Sequence, residues 1–224
     1  MGFNIAIDGP AGAGKSTVAK MAAGKLEFIY VDTGAMYRTI ALYLIRNGID
    51  EGDEAALEKA LQDIDVRISY QDGVQHMYLN GEDVSGLIRT PEVSEKASRS
   101  SAQPVVRKKL LDLQRNLARK EDVLMDGRDI GTAILPDADL KIYLTASVDV
   151  RARRRYLELK EKGQECPLEQ IRQEIEERDY RDMHRDISPL CQAKDAILLD
   201  TSDIDAETAA GRIVSLAKER MDGK

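Results

Sequence analysis

The chain has 224 residues, a charged fraction of 33% and a formal net charge of −7. This length is enough for one sizeable α/β domain, and the acidic balance argues against a broad footprint on a nucleic-acid backbone. The two cysteines, Cys166 and Cys191, are far apart, which excludes a disulfide framework or a zinc ribbon. The N-terminal residues lack an export signal and no stretch approaches the roughly 18 apolar residues of a membrane span, so we expect a soluble cytoplasmic protein.

The most informative stretch is G-P-A-G-A-G-K-S at residues 9–16, which follows the apolar run 3–8 and precedes a helical pattern. It matches the phosphate-binding loop G-x-x-x-x-G-K-[ST] in the context that this motif requires. Glycines let backbone N–H groups turn around phosphate oxygens, Lys15 adds a positive charge near the β and γ phosphates, and Ser16 is a ligand for Mg²⁺. The alternative is a glycine-rich turn between a strand and a helix, with a lysine that has no role in phosphate binding. The loop residues expected to bind ATP are Gly9, Pro10, Ala11, Gly12, Ala13, Gly14, Lys15, Ser16 and Thr17.

Strands and helices alternate after this loop. Residues 27–32 form a β-rich run, and Met36, Ile40 and Leu44 then recur every four residues on one helical face. Such alternation predicts a parallel sheet that gathers ligands at the carboxyl ends of its strands. Further strands are predicted at 122–125, 140–144 and 196–200, of which the first two should be central, and a closing helix from Asp205 to about Met221.

The alternation of strands and helices is interrupted between about residues 50 and 83. Residues 50–62 have the pattern of a solvated helix, and residues 65–70 and 75–79 alternate like strands, with turns at Asp72-Gly73 and Asn80-Gly81. We interpret this stretch as an inserted antiparallel sheet that serves as a flap over the site, with decoration of the fold as the alternative.

Two helices, roughly 92–102 and 105–120, flank Pro104, and the second should bury Leu110, Leu113 and Leu117. From residue 147 onward the chain is helical and rich in arginine, with a Gly-Pro break at 163–167. Acidic residues balance these arginines, so a salt-bridged exposed helix pair is one interpretation and a mobile lid is the other.

A phosphate loop alone does not separate a kinase from a switch or a motor. No N-K-x-D motif for guanine is present, and a motor or helicase would show a basic channel for nucleic acid. Instead, Thr33 and Arg38 follow one predicted strand and Arg128 follows another, so two anion clamps converge on the loop. Transfer of a phosphoryl group between nucleotides requires cations on both sides of the moving group and exclusion of water.

The sequence closely resembles bacterial cytidylate (CMP) kinases over nearly its whole length. The motifs that carry the resemblance are IDGPAGAGKST, VDTGAMYR, NGEDVSGLIRTPEVSEKAS, DGRDIGTAILPDADLKIYL, RARRRYLELKEKG and IEERDYRDMHRDISPL. The resemblance implies the P-loop three-layer α/β sandwich of nucleoside monophosphate kinases, with a five-stranded parallel sheet. It implies a core of residues 1–48, 84–147 and 186–224, a small antiparallel monophosphate-binding insert at about 49–83 and a helical lid at about 148–185. It also implies ATP as donor, with Mg²⁺, and CMP and dCMP as acceptors.

The resemblance also implies residue roles. Thr33, Arg38 and Arg128 would hold the acceptor phosphate, and Ser98, Arg107 and Asp129 would face cytosine. This base assignment is chemically reasonable because a carboxylate accepts from the exocyclic amine of cytosine and repels the carbonyl of uracil. Arg178 and Asp182 would bind the sugar hydroxyls, and Arg185 would bind the acceptor nucleotide or the transferring phosphate. Arg151, Arg154 and Arg155 match arginines of the family's lid, whereas Arg153 lies at a position where the family pattern specifies no residue. The residues expected to act in catalysis are Lys15, Arg128, Asp129, Arg154 and Arg185.

Two alternatives stay open from the sequence. One is a kinase for UMP, AMP or another small acceptor, and the other is a regulatory protein that hydrolyses or senses ATP. Positioning and charge carry most of phosphoryl transfer, so no strong base is required, and Asp126 or Asp129 would only orient the acceptor or magnesium waters. We expect the partners to be small nucleotides, without nucleic acid or membrane, and the protein to be a monomer.

Overall fold

The computed structural model describes residues 2–161 and 163–223. Its centre is a parallel sheet in the order β2-β6-β1-β7-β8. The strands are β1 (Asn4–Asp8), β2 (Ile29–Asp32), β6 (Val123–Gly127), β7 (Leu140–Thr145) and β8 (Ile197–Asp200). The five predicted strands and the central places of β6 and β7 are therefore confirmed.

The described ranges contain eight α-helices. Side chains alternate between the faces of the parallel sheet, so Ile5 and Ile7 join one core while Ala6 joins the other. The helices are α1 (Lys15–Leu26), α2 (Thr33–Arg46), α3 (Glu54–Gln62), α4 (Pro91–Ser100), α5 (Pro104–Lys120), α6 (Val148–Glu161), α7 (Leu168–His184) and α8 (Ala206–Asp222). Helices α1 and α8 cover one face and α2, α3 and α5 the other, which confirms the three-layer sandwich.

The insert is a three-stranded antiparallel sheet of β3 (Val66–Gln71), β4 (Val74–Leu79) and β5 (Glu82–Asp83). Its first turn has Asp72 at φ 51° and Gly73 at φ 74°, and Asn80 and Gly81 repeat this left-handed pair at the second. Such turns match the twist of hairpin strands, which is why these dipeptides predicted the hairpins correctly. The insert packs beside β2 and α2, and none of its side chains lines the cleft at the carboxyl ends of the central strands, so it lies beside that cleft and not over it in this structure.

Two helical details differ from the sequence prediction. The helix expected at residues 50–62 begins at Glu54, because the Asp53 carboxylate accepts a hydrogen bond from Ala56 N–H and caps the first turn. It is not simply solvated, since Leu57 is fully buried. In α5, Leu110 is buried as predicted, but Leu113 and Leu117 are only half-buried, because Gln114 and Ala118 occupy the inward face four and eight residues after Leu110.

Helices α6 and α7 pack against each other, and the predicted Gly-Pro break at residues 163–167 lies between them. Their own small apolar cluster contains Ala152, Ile171 and Ile175. Because this cluster is distinct from the two main cores, the pair is held to the rest of the protein largely by polar contacts. That construction suits an element that moves as a unit.

Candidate active site

A cleft of about 560 Å³ opens where β1, β2 and β6 end. Parallel strands direct their carboxyl ends to one edge, so the loops after these three strands meet there. The lining includes most of the residues predicted from sequence: Ala11, Gly12, Gly14, Lys15, Ser16, Thr17, Thr33, Arg38, Ser98, Arg107, Arg128, Asp129, Arg154, Arg178, Asp182 and Arg185. Gly9, Pro10 and Ala13 belong to the same loop but do not line the cleft.

The phosphate loop curls through left-handed glycines. Gly12 has φ 74° and Gly14 has φ 88°, and a Cβ at Gly9 would lie 1.9 Å from the carbonyl oxygen of Leu144. Glycine is therefore required at residue 9 by close backbone approach. The Lys15 ammonium donates to the carbonyl oxygen of Pro10 at 2.7 Å, which holds it over the loop.

Lys15 is almost fully buried, and its pKa is lowered well below the ordinary value by desolvation and by the neighbouring charge of Arg128. Asp126 opposes this effect. Two guanidinium groups, those of Arg128 and Arg178, act on the same ammonium. A phosphate group entering the cleft would relieve this repulsion, because its negative charge interacts favourably with all three cations.

Asp126 ends β6 at the floor of the cleft. Its carboxylate accepts hydrogen bonds from Ser16 Oγ at 2.8 Å and from the Tyr30 hydroxyl at 3.0 Å, and its main-chain carbonyl accepts from Thr33 Oγ1 at 2.7 Å. Burial and the nearby charge of Asp32 raise the pKa of Asp126. Through these bonds, Asp126 fixes the loop hydroxyl of Ser16 and the start of α2 relative to each other.

Arg38 lies one turn into α2. Its Nη2 donates to Asp32 Oδ2 at 2.9 Å, while Asp32 Oδ1 caps the helix by accepting from Ala35 N–H at 2.8 Å. The guanidinium of Arg89 approaches the same Oδ2 at 3.5 Å. Asp32 thus sets both where α2 begins and where Arg38 lies.

Arg128 follows β6 and pairs with Asp182 of α7 through Nε at 2.8 Å. Burial opposes the charge of Arg128, but the carboxylate of Asp182 raises its pKa overall. Arg178, one turn earlier in α7, has a buried Nε without a hydrogen-bond partner among the described residues. Its pKa falls to about 10 because of burial and the neighbouring Arg128. Two adjacent, half-buried guanidiniums that line one cleft form a strong site for an anion.

Asp129 occupies the other end of the cleft, where it is only 3% exposed. It forms a close ion pair with Arg107, and Arg185 Nη2 lies 3.4 Å from its Oδ1. Burial raises the pKa of Asp129, and the two guanidinium groups oppose that rise. The Arg107 guanidinium also lies over the ring of Tyr37, 5.7 Å from its centroid. This end of the cleft is therefore a flat, polar pocket with fixed donors and a fixed acceptor.

The family model described as cytidylate kinase matches residues 5–219 of this chain. The chain belongs to the cytidylate kinase family. The cytidylate kinase of Lactobacillus gasseri is 50% identical over 219 residues, covering 98% of this chain and 95% of the relative. That of Leuconostoc mesenteroides is 48% identical over 219 residues, covering 98% of each. The family predicted from the motifs is thus confirmed.

Solved structures also resemble this member of the cytidylate kinase family in fold. An uncharacterised protein from Eubacterium ventriosum aligns with a TM-score of 0.53 at 14% identity, over 96% of this chain and 98% of that chain. At such low identity the likeness concerns the fold alone. It agrees with the layered architecture described above.

The three arginines predicted for the lid, Arg151, Arg154 and Arg155, all line the cleft, and Arg155 pairs with Glu158 at 2.9 Å. Arg154 donates to the carbonyl oxygens of Ala13 and Thr201, at 3.4 and 2.5 Å, and it lines the cleft. Arg151 is instead nearly fully buried and donates to the carbonyl oxygens of Ala11 and Ala146 at 3.0 and 2.9 Å. Arg151 also pairs with Asp179 at 2.6 Å. Arg151 therefore lines the cleft and also connects the phosphate loop to α7.

Two acidic residues of the site carried no assigned role in the sequence prediction. Asp8, at the end of β1, accepts from Ile130 N–H and Gly131 N–H, both at 2.7 Å, and so ties the phosphate-loop strand to the turn that follows Arg128 and Asp129. Asp32 anchors Arg38. The only sequence signal for either was its place at the end of a strand, next to a motif.

Within residues 2–161 and 163–223, every helix is too short or too polar to cross a membrane. The same ranges contain no group of three or more His, Cys, Asp or Glu side chains arranged to hold a metal ion.

Proposed function

We propose that this protein transfers the γ-phosphoryl group of ATP to CMP or dCMP, giving CDP or dCDP and ADP. Membership of the cytidylate kinase family supports the assignment. The observation that carries it is the cleft itself, in which the phosphate loop around Lys15 faces the arginines that follow β2 and β6.

The phosphate loop is the donor side of this proposal. Backbone N–H groups of the loop surround the β and γ phosphates of ATP, and Lys15 exchanges its bond to Pro10 for a contact with phosphate oxygens. Arg154 reaches this loop from the lid and stabilises charge on the transferring group. Positioning and electrostatic stabilisation then account for catalysis without a strong base.

The acceptor side uses the residues at the ends of β2 and β6. Thr33, Arg38 and Arg128 bind the phosphate of the monophosphate, opposite the donor chain. Arg38 turns part of its guanidinium from Asp32 towards that phosphate, and Arg128 does the same from Asp182. A guanidinium has five N–H donors, so each arginine can keep its carboxylate partner and bind phosphate as well.

The base is read at the far end of the cleft. Asp129 accepts from the exocyclic amine of cytosine, which a carboxylate can do while it also binds Arg107 and Arg185. Arg107 and Ser98 donate to the ring nitrogen and carbonyl. Uracil presents a carbonyl where cytosine has its amine, so Asp129 disfavours UMP.

The lid of residues 148–185 closes over both nucleotides and excludes water, which would otherwise act as the acceptor. Arg178 and Asp182 of α7 then bind the sugar hydroxyls, and Arg185 lies at the acceptor nucleotide or the transferring phosphate. The core of residues 1–48, 84–147 and 186–224 carries the phosphate loop and most of the acceptor site, and the insert of residues 49–83 packs beside α2 and β2 on the acceptor side.

The residues present fit a Mg²⁺ ion bound with ATP. Ser16 Oγ and the Asp126 carboxylate lie side by side at the end of the phosphate loop, and hard oxygen donors of this kind suit Mg²⁺. Ser16 would ligate the ion directly, while Asp126 would hold one of its waters. When bound, the ion neutralises charge on the phosphates. We further propose that the protein acts as a cytoplasmic monomer on small nucleotides alone.

An acceptor panel tests the function. CMP, dCMP, UMP, AMP and GMP are each incubated with ATP and magnesium, and ADP formation is followed by a coupled assay. We expect fast turnover with CMP and dCMP and slow or negligible turnover with the others. ADP formation independent of every acceptor would point to an ATPase switch, and a preference for UMP or AMP would contradict the proposed base site.

A further inference from the structure

A second cavity, of about 780 Å³, lies apart from the phosphate loop, between the open edge of β2, the C-terminal half of α1 and the hairpin insert. Small-ligand sites commonly have volumes of roughly 300–1,000 Å³ and mostly apolar linings with a few fixed polar groups. This cavity shares Asp32 with the active-site cleft. None of the proposed catalytic or nucleotide-binding roles involves this second cavity.

The edge of β2 supplies the fixed polar groups. β2 is the outermost strand, and Ile29 N–H donates to Asp122 O at 2.9 Å on its paired side. Backbone groups alternate along a parallel strand, so the N–H and C=O of Tyr30 and Asp32 face the open edge. At Asp32 the Gln75 carboxamide pairs with this edge, accepting from Asp32 N–H at 2.8 Å and donating to Asp32 O at 3.2 Å.

Tyr30, two residues before Asp32 in β2, has the same pair of backbone groups facing the open edge. Tyr30 lines the cavity, and the same alternation points its backbone N–H and C=O to the open edge, as the N–H and C=O of Asp32 point towards Gln75. A flat group with adjacent N–H and C=O, such as a lactam or an amide, matches this pair. The edge therefore selects planar amide-like ligands over purely apolar ones.

The rest of the lining favours a ring with an acidic group. Phe28, Met77 and Ile88 give the cavity an apolar wall. Lys20 Nζ lies 5.6 Å from the centroid of the Tyr30 ring, and the side chain of Arg89 is 62% exposed at the rim. Arg38 and Arg89 share the Asp32 carboxylate, at 2.9 and 3.5 Å, and Glu27 also lines the rim. The three cations Lys20, Arg38 and Arg89 therefore face two carboxylates, and the net charge around the rim is positive.

A chain of contacts through Gln75 and Asp32 links the cavity to the proposed acceptor site. Gln75 lines the cavity and holds the main chain of Asp32, and the Asp32 carboxylate holds Arg38 and caps α2. A ligand that packs the hairpin against β2 would keep this chain of contacts in place. Arg38 would then be better positioned for phosphate.

We propose that this cavity is a second binding site, for a planar lactam or amide that carries one acidic group, and that its occupation strengthens acceptor binding through Gln75 and Asp32. The coupling, though not the binding, rests on the proposed function.

The binding test uses orotate, a pyrimidine lactam with one carboxylate, and benzoate as a probe of similar charge without the lactam. Calorimetry is performed with CMP and a non-hydrolysable ATP analogue at saturation, so that the cleft is filled. We expect a dissociation constant of about 1 mM for orotate, the affinity of a fragment-sized ligand, and much weaker binding of benzoate. Absence of orotate binding, or equal binding of both probes, would overturn the site.

Two matched variants locate the binding. Gly24 lines the cavity and Gly211 of α8 does not, and a Cβ has open space at both helical positions. Gly24→Phe should abolish orotate binding and Gly211→Phe should retain it, with native circular dichroism and unchanged turnover in each. Binding that survives Gly24→Phe would place the ligand elsewhere and overturn the proposal.

The coupling is measured in steady-state kinetics. Saturating orotate should lower the KM for CMP at least about twofold and leave the KM for ATP unchanged. Gln75→Ala should remove this effect, and Gln71→Ala, an exposed position of the same hairpin, should keep it. An unchanged KM for CMP in the wild type would refute the coupling. Failure of the proposed function is distinct, because it would show as absent CMP phosphorylation without any orotate.

Discussion

The Asp129→Asn substitution tests how the cleft distinguishes bases. Asp129 is 3% exposed and lies between Arg107 and Arg185, so the change removes the negative charge from a buried cluster and keeps its shape. A hydrogen bond to a charged group contributes about 1.5–3 kcal/mol, which corresponds to roughly a 10- to 150-fold loss of kcat/KM with CMP. UMP should lose little or gain, because the asparagine amide can donate to its carbonyl. The CMP over UMP preference should therefore narrow at least about tenfold.

The assay is kcat/KM for both acceptors at saturating ATP. Asp179→Asn is the matched control, since Asp179 is a buried partner of Arg151 that does not line the cleft. Loss of one partner of a buried ion pair destabilises a protein by about 3–5 kcal/mol, so thermal unfolding should shift downwards in both variants. Only Asp129→Asn should alter the acceptor ratio. A ratio that stays within about twofold of the wild-type value would refute the assigned contact with cytosine.

Lys15→Ala should reduce kcat by about 100- to 1,000-fold with native circular dichroism, because it removes a charge that stabilises the transition state; near-normal kcat would refute this. Arg128→Ala should impair phosphoryl transfer with every acceptor alike in the coupled ADP assay, and a defect confined to one base would contradict it. Burial raises the pKa of Asp8 from 3.8 to about 6, so the folded protein binds this proton more tightly than the unfolded chain. Its contribution to the free energy of unfolding is present at low pH and is lost as pH rises through about 6. Urea denaturation should show that the stability of wild type relative to Asp8→Asn is greater at pH 5 than at pH 7 by about 1 kcal/mol; no difference would refute the raised pKa.

Features that depend on neighbouring residues were predictable from the sequence. The phosphate loop needs glycines at fixed spacing between a strand and a helix, and the turns at Asp72-Gly73 and Asn80-Gly81 need left-handed backbone. The stripe of Met36, Ile40 and Leu44 is fully buried, as its four-residue spacing indicated. In each case one short segment contains all the information that its conformation requires.

Features that depend on contacts between residues far apart in the chain could not be predicted from the sequence. Arg151 and Arg154 are similar in sequence context, yet the guanidinium of Arg151 is buried and donates to the carbonyl oxygen of Ala11, which is 140 positions away. The bond from Ile130 N–H to Asp8 spans 122 positions. The position of the insert also depended on tertiary packing, through the contact between Gln75 and Asp32. No periodicity or motif specifies these pairings, since they arise only when the sheet brings the strand ends together.

The central claim is that donor and acceptor phosphate chains meet end to end among the guanidinium groups of one cleft. A bisubstrate analogue, with cytidine and adenosine joined by five phosphates, tests it by calorimetry. We predict that the analogue binds at least about 100-fold more tightly than either CMP or ATP alone, because one molecule fills both sites at once. Arg128→Ala should remove much of that gain. An analogue that binds no more tightly than CMP alone would contradict the claim.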